Sequence, residues 1–170
     1  DPAAAPTQLT WFAGYASLIA AEQWRQRSEF DEAKASYRRA IERFDAAAND
    51  FPATRDSCDH YAALSEAGLA RLALQAEDLS TATDLLLAAF ARRPASTATQ
   101  DGLGLTPIMT AKMLKARLLE SDTPERAADV QAALDALDPE LLEPPPMERS
   151  TGQRPSNDRP RRGPRGTGGR

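Results

Sequence analysis

The amino-acid sequence predicts an all-α fold in which six helices form three antiparallel pairs. Alanine and leucine dominate the apolar residues, whereas valine and isoleucine, which favour strands, are scarce. Apolar residues recur three and four positions apart through most of the chain, which is the spacing of one face of a helix. Aromatic residues make up only 6% of the chain, so small side chains must build a core in which helices approach closely.

The first two helices are predicted on either side of a short turn. Thr7 can cap a helix that extends to about Arg27, and residues 28–31 form the turn that leads into the second helix. The pair Phe51-Pro52 ends this second helix, because proline cannot continue the hydrogen-bond ladder.

The second pair is predicted to begin at Thr54 and to close before Pro94, with a turn at 77–80. Gly68 lies inside the third helix, where glycine costs about 1 kcal/mol relative to alanine. We therefore expect a neighbouring helix to pass close to Gly68. Residues 95–104 are polar and contain glycine, which predicts a loop after the fourth helix.

Two similar start signals predict the third pair. Thr106 can cap the fifth helix and is followed by Pro107 at the first helical position. Thr123 and Pro124 repeat the signal for the sixth helix, which should end at Pro139.

The chain divides into a linker at 1–6, a helical domain at 7–142 and a tail at 143–170. The tail combines three consecutive prolines with glycine, arginine and serine, and this composition predicts disorder because it cannot bury a core. The linker resembles the segment that often follows a removed signal peptide, which favours export over the cytoplasm, although a trimmed chain would look the same. No apolar run approaches the length of a membrane span.

The net charge of −4 conceals an acidic body and a basic tail. Residues after Met147 carry seven arginines and two acids, which gives +5 there and leaves −9 for the rest. Arginines separated by glycine can follow a phosphate backbone, so a nucleic-acid adaptor is the alternative to a solubilising or linker tail. The tail can also fold back on the acidic body. The candidates for contact with nucleic acid or an acidic surface are Arg159, Arg161, Arg162, Arg165 and Arg170.

Residues suited to catalysis or metal binding are few, and the sequence predicts no enzymatic activity, cofactor or metal. His60 is the only histidine and Cys58 the only cysteine. On a helix, side chains two residues apart point about 200° apart, so these two cannot form a dyad or a metal site. Paired acids remain the one route to catalysis, but the acidic residues are scattered along helical faces. Packing between helices is the expected role of Trp11, Trp24, Met109 and Met113, although methionines on an open groove can also serve adaptable binding.

The first helix pair carries the pattern of a helical repeat. When Gly14 is position one, Ala21, Ala33 and Ala40 fall at positions eight, twenty and twenty-seven. These residues resemble a tetratricopeptide repeat, a 34-residue unit in which small residues at those positions let two helices touch.

Two further units follow with wider spacing. They begin at Ala63 and Ile108, 49 and then 45 residues after the preceding start, and each again has alanine at position twenty. The third unit departs from the family pattern with Lys115 at position eight and Gln131 at twenty-four. The resemblance implies three pairs stacked as a short α-solenoid, and the alternative is a helical bundle with alanine-rich seams.

The resemblance also implies a function, because the first helix of each pair lines a concave groove in tetratricopeptide proteins. We therefore expect a non-enzymatic scaffold or adaptor that binds a peptide or protein segment. Arg25, Arg71 and Lys112 are expected to hold acidic side chains or a carboxyl terminus. The candidate groove residues are Tyr15, Leu18, Glu22, Arg25, Gln26, Leu64, Arg71, Gln75, Met109, Lys112 and Glu120.

Overall fold

The computed structural model describes residues 4–142, with side chains from Gln8 onward, and confirms the all-α class. Six long helices lie in three consecutive pairs, and residues 4–142 contain no strand. The long helices are α1 (Ala4–Gln26), α2 (Phe30–Asp50), α3 (Arg55–Gln75), α4 (Leu79–Arg92), α5 (Pro107–Glu120) and α6 (Pro124–Asp135). A short helix α7 (Pro139–Leu142) follows them, and 3₁₀ turns at Pro52–Thr54 and Pro94–Ala98 lie between the pairs.

The turn inside each pair has the same backbone conformation in all three pairs. Ser28, Glu77 and Asp122 have φ angles of 63°, 58° and 55°, in the left-handed region. Each of them is position fifteen of its unit, counted from Gly14, Ala63 or Ile108. The next N–H then bonds a carbonyl five residues back, as in the Schellman motif. The three equivalent bonds run from Glu29 to Trp24 (3.0 Å), from Asp78 to Ala73 (2.9 Å) and from Thr123 to Leu118 (3.0 Å).

The helix pairs stack in chain order. Helix α3 contacts α1 and α2 of the first pair as well as α5, and α4 contacts both helices of the third pair. Ala33, Ala82 and Ala127, at position twenty of their units, are 0%, 0% and 3% exposed. The predicted stacking of consecutive helix pairs is therefore confirmed, and the alanine at position twenty is buried in each pair.

Gly68 lies where α3 passes close to α2. A Cβ at this position would lie 2.5 Å from Cε1 of Tyr37 and 2.9 Å from its hydroxyl oxygen. The Tyr37 ring is fully buried, and its hydroxyl donates a hydrogen bond to Glu22. Only glycine leaves room for this ring, as the position of Gly68 in the sequence predicted.

Two apolar clusters form most of the core. The first lies between α1, α2 and α3 around Tyr37 and Phe44, and Trp11 and Trp24 pack against it as predicted. The second joins the second and third pairs, and its largest fully buried members are Leu86, Leu114, Leu118 and Val130.

Several helix ends differ from the sequence prediction. Helix α1 begins at Ala4, before the predicted cap Thr7, and α7 was not predicted. Thr106 caps α5 as expected, since its hydroxyl accepts a hydrogen bond from the Met109 N–H at 3.1 Å. Thr123 does not cap α6, because its hydroxyl donates to the carbonyl of Leu118 at 2.9 Å. The predicted tail at 143–170 lies outside the described residues.

Candidate functional site

The C-terminal halves of α1, α3 and α5 border a cavity of about 690 Å³. Two residues of the connection between α4 and α5 complete its wall. The residues around the cavity are Arg25, Arg71, Leu74, Gln75, Glu77, Leu103, Leu105, Met113, Ala116, Arg117 and Glu120.

The connection 99–106, which we call the strap, is held in shape by the side chain of Asp101. Its Oδ1 atom accepts hydrogen bonds from the N–H groups of Leu103 and Leu105, both at 2.8 Å. The Asp101 N–H in turn donates to the carbonyl of Leu105 at 3.0 Å, and Gly104 adopts a φ of 76°. An aspartate that bonds nearby backbone N–H groups stabilises a local turn.

The second carboxylate oxygen of Asp101 binds two arginines from different helices. Nη2 of Arg25 on α1 donates to Oδ2 at 2.6 Å, and Nη1 of Arg71 on α3 donates to the same atom. The side chains of Arg25, Arg71 and Asp101 are 7%, 8% and 9% exposed. Charge-assisted bonds of this kind are stronger than neutral ones, so Asp101 anchors the strap to the first two pairs.

Glu22 balances the second positive charge in this cluster. Its Oε2 atom accepts a hydrogen bond from Arg25 at 2.6 Å, and its Oε1 atom accepts one from the Tyr37 hydroxyl. Burial and the adjacent Glu22 carboxylate raise the pKa of Tyr37, which keeps its hydroxyl protonated as a donor. Two arginines and two carboxylates make the cluster neutral, which reduces the cost of burying its charges.

The two arginines differ in how completely they are hydrogen-bonded. Besides Asp101, Arg71 reaches Thr110 on α5 through Nε at 2.8 Å and the carbonyl of Leu105 through Nη2 at 3.1 Å. Burial lowers the pKa of Arg71, and the Asp101 carboxylate offsets part of that effect. The Nε atom of Arg25, in contrast, is buried without a hydrogen-bond partner in the described part of the chain.

The structure brings together only some of the groove residues predicted from the sequence. Arg25, Arg71, Gln75 and Glu120 border the cavity. Two other predicted residues lie beside this region without bordering the cavity, and one of them is Glu22, which binds Arg25 as described above. The other, Gln26, donates to the carbonyl of Gly102 in the strap at 3.5 Å.

Other predicted groove residues lie elsewhere. Leu18 is 6% exposed and packs in the first core cluster, so it is removed from the candidate surface. Lys112 borders a separate depression beside α6, so Arg117 is the third cation at the cavity. Tyr15 stacks on Trp11 with 5.6 Å between ring centroids. Leu64 is half-buried, and neither Tyr15 nor Leu64 borders the cavity.

The methionines of α5 were expected to pack in the core or at a helix seam, with binding on an open groove as the alternative, and their exposure contradicts a core position. Met109 and Met113 are 44% and 50% exposed, and Met113 borders the cavity. Met113, Ala116 and Glu120 recur three and four positions apart, a spacing that places them on one face of α5. That spacing was available in the sequence, whereas nothing local indicated the contributions of Leu103 and Leu105.

His60 and Cys58 have separate partners, as their spacing predicted. Nδ1 of His60 lies 2.8 Å from the Ser96 hydroxyl, and Sγ of Cys58 lies 3.6 Å from the Thr54 hydroxyl. Burial raises the pKa of the Cys58 thiol, and burial together with Arg93 lowers the pKa of His60. Within residues 4–142, no group of three or more His, Cys, Asp or Glu side chains has a metal-binding arrangement.

Across the described range, no helix combines the length and the apolar character that a bilayer span requires. The tail candidates Arg159, Arg161, Arg162, Arg165 and Arg170 lie outside the described residues. Comparison with protein-family models, with curated proteins and with solved structures finds no match to this chain.

Proposed function

We propose that the protein is a non-enzymatic scaffold or adaptor that binds a peptide or protein segment between α1, α3 and α5. The observation that carries this proposal is the cavity of about 690 Å³, which spans one helix from each of three stacked pairs. A concave site with an apolar lining and a few fixed polar groups is the usual form of a binding site.

The lining of the cavity suits an amphipathic segment. Its apolar part consists of Leu74, Leu103, Leu105, Met113 and Ala116. Two buried arginines lie at one side, and Arg117, Glu77 and Glu120 supply exposed charges around the rest. Apolar side chains give such a site affinity. The buried arginines, which Asp101 and Glu22 neutralise, would favour an acidic group that takes the place of Asp101.

The repeat register supports the same proposal. The units begin at equivalent positions and share one turn geometry, and in tetratricopeptide proteins the first helices line the binding groove. The departures of the third unit from the family pattern compensate each other, because Nζ of Lys115 donates to Oε1 of Gln131 at 2.6 Å. A polar pair thus links α5 and α6 at the positions that Ala21 and Tyr37 occupy in the first unit.

A random-peptide display selection on the full chain tests the proposal. Peptides that bind should lose at least about tenfold in affinity to Met113→Glu, because this change places a charge in the cavity lining. Leu119→Glu is the matched control, since Leu119 lies on the same helix at 55% exposure and does not border the cavity.

The outcome is decisive in either direction. Loss of binding in Met113→Glu with retention in Leu119→Glu supports the site. An absence of selected peptides, or peptides that bind both variants as tightly as the unmodified chain, contradicts it.

A further inference from the structure

We propose that the strap is an intramolecular ligand of this cavity and that partner segments share its pattern. The pattern is an acidic residue followed two and four positions later by aliphatic side chains, as in Asp101, Leu103 and Leu105. This inference rests on the proposed function and specifies which segments the site accepts.

The strap supplies the two kinds of contact that a bound segment would make. Its carboxylate is held by Arg25 and Arg71, and its two leucines border the cavity beside α3 and α5. Backbone groups of the strap also accept hydrogen bonds from Gln26 on α1 and from Arg71 on α3. A short turn-forming segment with one acidic anchor is therefore already bound between the first helices.

The strap nevertheless leaves one hydrogen-bond donor of its site, Nε of Arg25, without an acceptor in the described part of the chain. Since Oδ1 of Asp101 accepts two N–H groups of the strap itself, only Oδ2 is left for both arginines. The Arg25 Nε atom consequently has no partner in the described part of the chain. A carboxylate that is free of such a turn can offer both oxygens to a guanidinium group in the bidentate arrangement.

The apolar half of the site is also partly unfilled. Leu103 is 53% exposed, and the cavity beside it retains about 690 Å³. A partner with a larger aliphatic side chain at this position would remove more apolar surface from water than Leu103 does. Both shortcomings favour replacement of the strap by a better-matched segment.

The strap can leave without opening the core. None of the residues 99–106 belongs to the buried apolar clusters of the described chain. The strap also lies in the extra segment that increases the spacing between the starts of the second and third units to 45 residues, compared with 34 in a tetratricopeptide repeat. Stacking of the pairs therefore depends on residues outside it.

A labelled peptide of residues 98–107, added to the full-length protein, tests this inference by fluorescence anisotropy. An intramolecular competitor acts at a millimolar effective concentration, so the unmodified chain should bind the peptide weakly. Asp101→Ala in the protein releases the strap, and the peptide should then bind at least about tenfold more tightly. The same peptide carrying Asp101→Asn should show no such gain, because it lacks the charge that the arginines bind.

Leu103→Ser provides a second variant in case Asp101→Ala does not fold. Leu103 is mostly exposed and outside the ion cluster, so this change should keep the fold and raise peptide affinity by a smaller factor. Circular dichroism melting establishes that each variant is folded before binding is measured.

The inference is overturned if folded variants bind the peptide no better than the unmodified chain, or if the Asn peptide binds equally well. Its failure can be separated from that of the proposed function by the display selection. Selected peptides that depend on Met113 but lack the acidic and aliphatic pattern would refute this inference and leave the proposed function standing. A selection without binders on both the full chain and its Asp101→Ala variant would refute both.

Discussion

The close packing of Gly68 against Tyr37 allows us to predict how much stability the protein loses when Gly68 is replaced by alanine. In Gly68→Ala, the new Cβ would lie 2.5 Å from Cε1 of Tyr37, so the ring must move. The ring is fully buried and its hydroxyl is bonded to Glu22, which leaves it little freedom to do so.

The cost follows from three effects. Overpacking a close-packed core typically costs about 1–3 kcal/mol. Loss of a hydrogen bond to a charged group such as Glu22 adds about 1.5–3 kcal/mol. The higher helix propensity of alanine returns about 1 kcal/mol. We expect a net loss of about 1.5–5 kcal/mol in the free energy of unfolding, or a decrease in Tm of roughly 5–17 °C.

Chemical denaturation monitored by circular dichroism measures this loss. In a Tyr37→Leu background the same Gly68→Ala change should cost much less, because the ring is gone. Gly14→Ala is a graded control, since its Cβ would lie 3.0 Å from the nearest atom of Phe44 and requires a smaller shift. A neutral or stabilising effect of Gly68→Ala in the native background would refute the close packing of α2 against α3.

Four further predictions concern local interactions. Burial and Arg93 lower the pKa of His60 in the folded protein. Because the unfolded chain then takes up the proton first, the free energy of unfolding should be largest above about pH 6.5 and should decrease as the pH falls below that value. His60→Gln should remove this part of the pH dependence in a melting series. Arg92→Met should lower the free energy of unfolding in denaturant by about 3 kcal/mol, because it leaves Glu66, whose side chain is 10% exposed, without its ion pair. Adding Glu66→Gln to this variant should restore part of the loss. Thr106→Ala should cost about 1 kcal/mol in the same assay through loss of the α5 cap. Truncation after residue 144 should change Tm by no more than about 2 °C. A gel shift at low salt that compares the full chain with the truncated chain tests the alternative that tail arginines bind nucleic acid.

Much of the fold could be predicted because its signals are local. Two of these signals depend on only a few neighbouring residues, and the structure confirms both. The alanine at position twenty of each unit is buried, and Thr106, followed by a proline, caps α5. Thr123 shows where local reasoning fails, since it has the same proline neighbour as Thr106. The left-handed residue Asp122 brings Thr123 back to Leu118, and its hydroxyl bonds that carbonyl instead of capping α6.

The candidate site was harder to predict from the sequence than the helices, because it is formed by residues that are far apart along the chain. The resemblance to tetratricopeptide repeats placed Arg25 and Arg71 among the groove candidates, and both border the cavity. Their shared partner, Asp101, is 76 and 30 residues away along the chain, and a polar loop gives no local sign of its path. The sequence-based reasoning therefore identified the two arginines that bind Asp101, but neither the strap nor the third cation, Arg117, which it placed at Lys112 instead.

Methyl NMR of the three methionines tests the central claim most directly. Met113 borders the cavity, Met109 lies one turn earlier on α5 without bordering it, and Met147 is in the tail sequence. On titration with a display-selected peptide, the account predicts the largest shift for the Met113 methyl group, a smaller one for Met109 and none for Met147. A binding peptide that shifts Met147 while Met113 stays unchanged would contradict binding between α1, α3 and α5.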